Sequence, residues 1–369
     1  MNYGILIGVF LGVFISAQMP VNARAVTIIM VSIVMGGVWS GFRVDKDVSL
    51  KNLFLRMLGL VCIAFLFYNY FPEYSYSLYS VSYSLFLDYY LVIILVYIIS
   101  VKFGRDKSSW PIYLKSVAVR VYFLPLMSAF LVQHIQGIPV VFLFDTPYRF
   151  VSSVVWWAFL VDLTVGTIGY FLPGAMFGAS VCGVDASLPG LFYCLVCYPP
   201  FWWLVNTRYI NHDDGYDWYQ WLAGFPFLAW CWAFLICVAL FFYVGAVLSL
   251  GFKFSNLIYK GLCNNGLYSI CRHPQYLGKI MFYWLTSVPF VNHLGFIGAL
   301  SGIVSMMLVS FIYYMRAKTE ENYLGQFEEY LQYSAKVPFF PSVRLLSGVV
   351  CFWARRRVAS GRSDAPTAL

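Results

Sequence analysis

Long apolar runs dominate this chain of 369 residues and restrict what it can fold into. Hydrophobic residues make up 61% of the chain and charged residues 11%, whereas a soluble domain is nearer a quarter charged. Because a membrane-spanning helix needs about 20 apolar residues, the pattern indicates about ten spans. These runs cover residues 3–19, 25–42, 53–71, 85–101, 117–133, 151–172, 190–205, 221–250, 277–291 and 294–315. The sequence therefore predicts an all-α, polytopic integral membrane bundle.

Lysine and arginine residues collect in alternate loops between these runs. They occupy the loops at 43–51, 102–115 and 253–272 and the end of the chain from 316 onwards, and ten spans place all of these on one side. Since cytoplasmic loops carry the excess of positive charge, we expect both termini and these loops to be cytoplasmic. Topology and anionic lipid headgroups thus account for the net charge of +8, and no nucleic acid is expected as a partner.

The nine cysteines lie mostly inside apolar runs and do not form the pattern of a disulfide framework. Cys194 and Cys197 have the spacing of a metal-binding pair. They lie in an apolar segment without a second pair or a nearby histidine, so we interpret them as small packed side chains. No metal site is predicted.

Two polar segments interrupt the apolar pattern near the C-terminus. In the first, residues 260–278, Gly266 suits a turn that needs positive φ, and Pro274 suits the first position of a helix. His273 and Tyr276 would then line the mouth of that helix, and Gly278 would permit a close approach by a neighbour. Taken alone, this segment also fits an anchor of Arg, His and Tyr at the membrane interface.

The second polar segment covers residues 316–341. Arg316 and Glu320 are four residues apart and share one face of a helix. From Leu324 onwards the pattern predicts a C-terminal amphipathic helix at the interface, with Leu324, Phe327 and Leu331 on its apolar face. Taken alone, this segment fits a solvated helix with an ordinary surface ion pair.

Together, the two segments resemble the signature of isoprenylcysteine carboxyl methyltransferases and the related phospholipid methyltransferases. Order and spacing match over about a quarter of the chain, with a helical hairpin between the two halves of the signature. The matching residues are Gly266-Leu267-Tyr268, Arg272-His273-Pro274-Gln275-Tyr276-Leu277-Gly278, Arg316 with Glu320-Glu321 and Leu324, and Tyr330 with Tyr333 and Val337-Pro338.

This resemblance implies S-adenosylmethionine as methyl donor and a lipidic or prenylated acceptor that enters from the bilayer. It implies that Arg316 faces the acceptor and that Arg272 supports the pocket, and for an amine acceptor Glu321 is the candidate base. The chain departs from the carboxyl methyltransferases at Lys260, where they tend to carry histidine. The residues expected to hold the cofactor are Leu262, Cys263, Tyr268, His273, Tyr276 and Glu320.

The resemblance also suggests a division of the chain. Residues 1–220 would form an N-terminal transmembrane bundle of unknown role, and residues 221–345 would form a methyltransferase-like membrane core. Residues 346–369 would be a basic cytoplasmic tail that is partly disordered.

Two other functions stay open at this point. Membrane sterol reductases resemble these methyltransferases in the C-terminal fold and use NADPH; the count of about ten spans favours them, whereas Pro274 and the Glu320-Glu321 pair favour the methyltransferases. A transporter is the third reading, because Asp162 lies in the middle of the predicted sixth span and a carboxylate inside the bilayer often marks a pathway.

Overall fold

The structure is a computed structural model, and it describes residues 2–16, 27–29, 31–32, 34–35, 110–136, 144–171, 179–198, 201, 217–291, 293 and 295–341. Most of the described residues are helical, as predicted. The longer elements are α1 (Tyr3–Ser16), α2 (Trp110–Gln136), α3 (Pro147–Phe171), β1 (Gly183–Val184), α4 (Leu188–Leu195), α5 (Trp218–Trp221), α6 (Pro226–Leu250), β2 (Ile258–Tyr259), α7 (Pro274–Ser287), α8 (Gly295–Leu324) and α9 (Glu328–Ser334).

Three of the described helices are long and apolar enough to cross a membrane: α3, α6 with its extension to Lys253, and α8. Their outward faces carry exposed aromatic side chains, including Phe227, Phe234 and Phe241 on α6 and Phe296 and Phe311 on α8. Exposed apolar surface of this extent is unfavourable in water and favourable in lipid. The fold is therefore that of a membrane protein.

The prediction of about ten spans is not confirmed. The runs at 53–71 and 85–101, and most of the run at 25–42, lie outside the described residues. The run at 117–133 lies within α2, a helix of 27 residues that is not among the three apolar spans. Of the predicted spans, those that correspond to α3, α6 and α8 have a helix that is both long and apolar enough to cross a membrane.

Two other predicted spans are shorter than expected, because α4 has 8 residues and α7 has 14. α1 covers 14 residues of the run at 3–19, and the rest of that run lies outside the described residues. At about 1.5 Å per residue, α7 extends about 21 Å, less than the roughly 30 Å of the hydrocarbon core. The predicted hairpin of spans 277–291 and 294–315 is thus unequal, because α7 is half the length of the 30-residue α8.

α6 lies at the centre of the described bundle, with α3 on one side and α7 on the other. Gly278 of α7 makes this contact possible, since a Cβ atom there would lie 2.5 Å from the backbone nitrogen of Tyr243 and 2.9 Å from the carbonyl oxygen of Ala239. α7 begins at Pro274, as predicted, because proline has no N–H and fits the first helical position. The close packing fixes the start of α7 against the bundle.

A small two-stranded antiparallel sheet adds to the predicted all-α fold. Gly183 pairs with Tyr259 and Val184 with Ile258. Backbone bonds continue the ladder on both sides, from Cys182 N to the oxygen of Tyr259 at 2.8 Å and from Asp185 N to the oxygen of Leu257 at 2.7 Å. This two-stranded sheet joins the segment after α3 to the loop between α6 and α7.

The C-terminal amphipathic helix differs from its prediction. The chain turns at Gly325–Phe327, and α9 then has only 7 residues. Tyr330 and Tyr333 form its buried face, whereas Leu331, predicted to be apolar-facing, is 48% exposed. The turn interrupts the helical period that the prediction extended from Leu324, so the phase of the following residues changes.

The contact at Gly278 generates a stability prediction. In Gly278→Ala the added methyl meets backbone atoms of α6 that cannot rotate away, so we expect a loss of about 1–3 kcal/mol in the free energy of unfolding despite the better helix propensity of alanine. Thermal unfolding in neutral detergent measures this, with Gly224→Ala as the control because a Cβ there meets nothing within 4 Å. Equal midpoints for the two variants would contradict the close packing of α6 and α7.

Candidate functional site

A cavity lies between the loop that follows α6, the start of α7 and the end of α8. Its free space amounts to about 1120 Å³, including the mouth that opens to solvent. The polar and aromatic side chains in its wall include Asp185, Lys253, Asn256, Tyr259, Lys260, Tyr268, Arg272, His273, Tyr276, Arg316, Glu320, Tyr323, Tyr330 and Tyr333. Both polar segments of the sequence therefore contribute to one chamber.

The first polar segment reaches the cavity through a tight turn. Gly266 has φ of 59°, as the turn signal predicted, and opens a short 3-10 helix that ends at Ser269. The oxygen of Tyr268 accepts a hydrogen bond of 2.6 Å from the hydroxyl of Tyr333 on α9. This bond attaches α9 to the turn, so α9 closes one side of the cavity.

His273 caps the start of α7 and is buried between two rings. Its imidazole stacks on Tyr276 with ring centroids 5.6 Å apart and lies 4.8 Å from the ring of Phe339. The backbone N–H of Arg272 donates to the oxygen of Pro338 at 3.0 Å. The segment Val337–Pro341 therefore packs on Arg272 and His273, and Phe339 does not line the cavity.

Glu321 joins the two polar segments. Its Oε1 lies 3.1 Å from Nη1 of Arg272 and 3.2 Å from Nε2 of His273, and its Oε2 lies 3.4 Å from Nζ of Lys318. Glu321 is absent from the wall of the cavity. Glu321 therefore links the two polar segments, and its role as a base for an amine acceptor stays a prediction.

Glu320, the neighbouring carboxylate, faces the cavity. The hydroxyl of Tyr276 donates to its Oε2 at 2.8 Å. Tyr276 lies in the first turn of α7 and Glu320 lies near the end of α8, so this bond spans the mouth between the two helices. A carboxylate held in this way presents a negative group to any ligand in the chamber.

Arg316 is buried at the inner end of the cavity and does not pair with Glu320, although the two share a helix face. Its Nη2 donates to the side-chain oxygen of Asn256, and its guanidinium lies 5.5 Å from the ring of Tyr198 and 5.4 Å from that of Tyr276. Such aromatic faces stabilise a buried cation. The charge thus sits without a carboxylate partner among the described residues.

Asn256 holds Arg316 in place and was missed by the sequence analysis. Its backbone N–H donates to the hydroxyl of Tyr170 at 2.6 Å, and its side-chain nitrogen donates to the hydroxyl of Tyr198 at 2.9 Å. Asn256 lies in a loop, next to Leu257 with φ of 62°. A lone asparagine in a loop is usually a turn residue, so the sequence offered no signal for this contact.

The structure brings all but one of the predicted site residues to this cavity. Glu321 is the exception. Leu262 and Cys263 line the wall but follow β2 without belonging to it. Residues in the wall that the analysis did not assign come from the loop after α6, from α9 and from the segment around α4; they are Lys253, Asn256, Tyr259, Tyr330, Tyr333, Asp185, Gly190 and Cys194. Tyr330 and Tyr333 were in the signature but received no role.

Burial keeps the weak acids of the wall protonated. It raises the pKa of the Cys263 thiol above its ordinary value, although the backbone bond with Asn265 and the charge of Lys253 act in the opposite direction. Burial also raises the pKa of the Tyr268 phenol well above its ordinary range, and the nearby charge of Glu320 adds to the effect. The wall therefore offers a thiol and hydroxyl groups, and no thiolate nucleophile.

Lys260 stands where the resemblance leads one to expect histidine. Its ammonium is buried and donates to the carbonyl oxygens of Gly169, of Phe254 at 3.2 Å and of Phe252 at 3.4 Å. Burial lowers the pKa of Lys260 well below its ordinary value, and the charge of Arg120 lowers it further. The side chain thus joins the end of α3 to the loop after α6, and the residue also lines the wall of the cavity.

Comparisons with known proteins agree with the resemblance of the C-terminal part. Residues 221–337 match the family described as "Protein of unknown function (DUF1295)". The chain is also 26% identical over 202 residues to protein-S-isoprenylcysteine O-methyltransferase B of Arabidopsis thaliana. The aligned region covers 53% of this chain and 93% of that protein. No solved structure matches this chain. The predicted resemblance to isoprenylcysteine methyltransferases in the C-terminal part is thus confirmed.

The contacts of Glu321 predict that its side chain contributes more to the free energy of unfolding than an exposed acid does. Glu321→Gln leaves Arg272 and His273 without their shared carboxylate, so we expect the free energy of unfolding to fall by about 1–3 kcal/mol. Glu328→Gln is the matched control. Glu328 lies on the exposed side of α9, where its Oε1 accepts a hydrogen bond of 3.1 Å from the side chain of Gln332, so this variant should change stability by less than about 0.5 kcal/mol. Thermal unfolding in detergent compares them; equal effects would refute the joining role of Glu321.

Proposed function

We propose that this protein is an integral membrane methyltransferase that uses S-adenosylmethionine and acts on a lipidic or prenylated acceptor from the bilayer. One observation carries the proposal: His273 and Glu320, from the two separate polar segments, line a single chamber. The similarity to a plant isoprenylcysteine methyltransferase supports the reaction class. Both termini and the chamber are proposed to face the cytoplasm, on the charge pattern of the loops.

The cavity fits this cofactor in the groups it offers. Arg272 has a buried Nε in the wall for which the described residues provide no acceptor. It is placed to bind a carboxylate, while Glu320 is placed to bind an ammonium group or ribose hydroxyls. The tyrosine rings in the wall suit a sulfonium charge.

When bound, S-adenosylmethionine would supply an electrophilic methyl group, so the protein itself needs mainly to position two molecules. Tyr276 orients Glu320 through its hydroxyl, and Asn256 and two tyrosine rings hold Arg316 rigidly. A rigid arrangement lowers the entropic cost of bringing the reactants together. The apolar faces of α6 and α8 would lie in lipid, next to the acceptor.

The geometry favours an anionic acceptor over an amine. A carboxylate needs a cation to orient it and no base, and Arg316 is a buried cation in the wall without a carboxylate partner in the described part of the chain. An amine acceptor has to lose a proton first. Glu321, the candidate base, does not line the wall and contacts three basic side chains, so it is poorly placed for that step.

Ligand binding distinguishes this function from the reductase. We expect S-adenosylhomocysteine to bind the purified protein in calorimetry and to raise its unfolding midpoint, because the chamber is preformed. NADPH should leave the midpoint unchanged. A shift with NADPH alone would establish the reductase reading, and a shift with neither ligand, together with no transfer of labelled methyl to membrane lipids or prenylated thiols, would eliminate the proposal.

The role of Arg316 is tested by separating turnover from cofactor binding. Arg316→Ala should lower kcat by about 10²-fold or more, because it removes a fixed positive group that faces the acceptor. Its affinity for S-adenosylhomocysteine should stay within about threefold of the original, a change of less than roughly 0.7 kcal/mol.

Lys318→Gln is the matched control for Arg316→Ala. Lys318 is a basic residue on the same helix, its side chain is 40% exposed, and it does not line the cavity. Its kcat should be close to that of the original protein. Loss of cofactor binding in Arg316→Ala would show that Arg316 belongs to the cofactor site and that the acceptor is bound elsewhere.

A further inference from the structure

Arg120 of α2 is a buried cation that the proposed methyl transfer does not use. The residue is 3% exposed, and its Nε and Nη2 are fully enclosed without a hydrogen-bond acceptor among the described residues. No ion pair in the described part of the chain joins Arg120 to a carboxylate. Since a guanidinium does not lose its proton in proteins, the burial of this charge cannot be relieved by neutralisation.

The surroundings of Arg120 make its burial more unfavourable. The neighbouring residue Val119 packs with Ile112 on an apolar cluster at the two-stranded sheet, formed by Val181, Val184 and Ile258. β2 leads directly to Lys260, which is itself buried, and the charge of Arg120 contributes to lowering the pKa of Lys260. Two buried basic groups thus lie near the contact of α2 with this sheet.

The acid that follows β1 does not compensate these two basic groups. Asp185 follows β1, and its Oδ1 accepts the backbone N–H of Ser187 at 2.9 Å, which makes it part of the turn before α4. Asp185 lines the cavity, whereas Arg120 does not. The local balance of charge is therefore positive, and the enclosed N–H groups of Arg120 lack an oxygen acceptor in the described residues.

We propose that Arg120 belongs to a binding site for a phosphate oxyanion. This site lies at the contact between α2 and the two-stranded sheet, outside the cofactor chamber. A guanidinium presents its N–H groups as a planar fork that matches two phosphate oxygens, so phosphate chemistry satisfies both enclosed nitrogens at once. Lys260 is not needed for this binding, because its side-chain nitrogen already donates to carbonyl oxygens.

The position of Arg120 along α2 points to a lipid headgroup as the source of the phosphate. Arg120 is one turn beyond the exposed Lys115 and about 15 Å from the first residue of α2. It thus lies near the edge of the apolar run at 117–133. Basic residues at this depth meet the anionic headgroups of the leaflet. A soluble phosphate would have the same chemistry, so the experiment separates the two sources.

The test compares unfolding midpoints of delipidated protein in neutral detergent. The additions are phosphatidylglycerol, phosphatidylcholine, or inorganic phosphate with chloride as the ionic-strength control. We expect phosphatidylglycerol to raise the midpoint of the original protein by about 2–5 °C, and phosphatidylcholine to raise it less. If inorganic phosphate gives the shift instead, the oxyanion site is supported and its ligand is a soluble phosphate.

Arg120→Met removes the charge at similar side-chain length. This variant should lose the shift, and without added anion its midpoint should equal or exceed that of the original protein, because an enclosed and unpaired cation is gone. Arg149→Met is the matched control: Arg149 is an exposed basic residue that pairs with Asp145 at 2.7 Å, and its variant should keep the shift. The stability of Arg120→Met without anion separates a ligand site from a structural role.

Two outcomes would overturn the proposal. In the first, Arg120→Met responds to phosphatidylglycerol and to phosphate as the original protein does. In the second, Arg120→Met is destabilised by the same amount with and without anions, which would mean that Arg120 pairs with a group of the chain itself. Neither result depends on methyl transfer, so the inference stands or fails independently of the proposed function.

Discussion

One carboxylate, Glu321, joins the two halves of the site. It lies at the end of the long helix α8 and contacts Arg272 and His273 at the start of α7. α7 and α8 are consecutive, and α7 is about half as long as α8. The start of α7 and the end of α8 meet because α8 continues past its apolar part. Without this ion cluster the start of α7 and the end of α8 would have little reason to enclose a chamber. The segment around Phe339 then packs over the cluster and shields it from water.

The two neighbouring carboxylates of α8 divide the work. Successive residues of a helix point about 100° apart, so Glu321 turns towards the basic residues and Glu320 turns towards the cavity. The first is neutralised by Arg272 and Lys318 and stabilises the fold, whereas the second accepts a hydrogen bond from the Tyr276 hydroxyl. A paired acid is a poor binding group, and a lightly held acid is available to a ligand. The Glu-Glu pair of the signature thus has a physical explanation in this chain.

The sequence predicted the local backbone around the cavity better than it predicted the bundle. The turn at Gly266, the helix start at Pro274 and the close approach at Gly278 follow from local backbone chemistry, and the structure has each of them. The span count depended on apolar length alone, and this measure cannot distinguish a spanning helix from a shorter one such as α4 or α7. The helix predicted from Leu324 onwards is interrupted by one turn at Gly325, which changes the helical phase of the residues that follow.

The contacts of Arg316 could not be predicted for a different reason. They depend on Asn256 and Tyr198, which are 60 and 118 residues away in the chain, so no local pattern connects them. The two-stranded sheet of β1 and β2 brings these segments together, and each strand has only 2 residues. A ladder this short has almost no periodicity to detect. Long-range contacts between isolated polar residues in an apolar chain are therefore visible only once the fold is known.

Arg316 and Arg120 show how the interior treats a buried cation in two ways. Arg316 has an amide oxygen and two aromatic faces around it, so its charge is stabilised before any ligand arrives. Arg120 is buried to a similar degree, but two of its nitrogens are enclosed without an acceptor in the described residues. Because an unpaired charge in a low-dielectric interior is costly, selection for stability alone would favour an apolar side chain there. The contrast indicates that Arg316 is organised by the fold, whereas Arg120 requires a partner that the described chain does not provide.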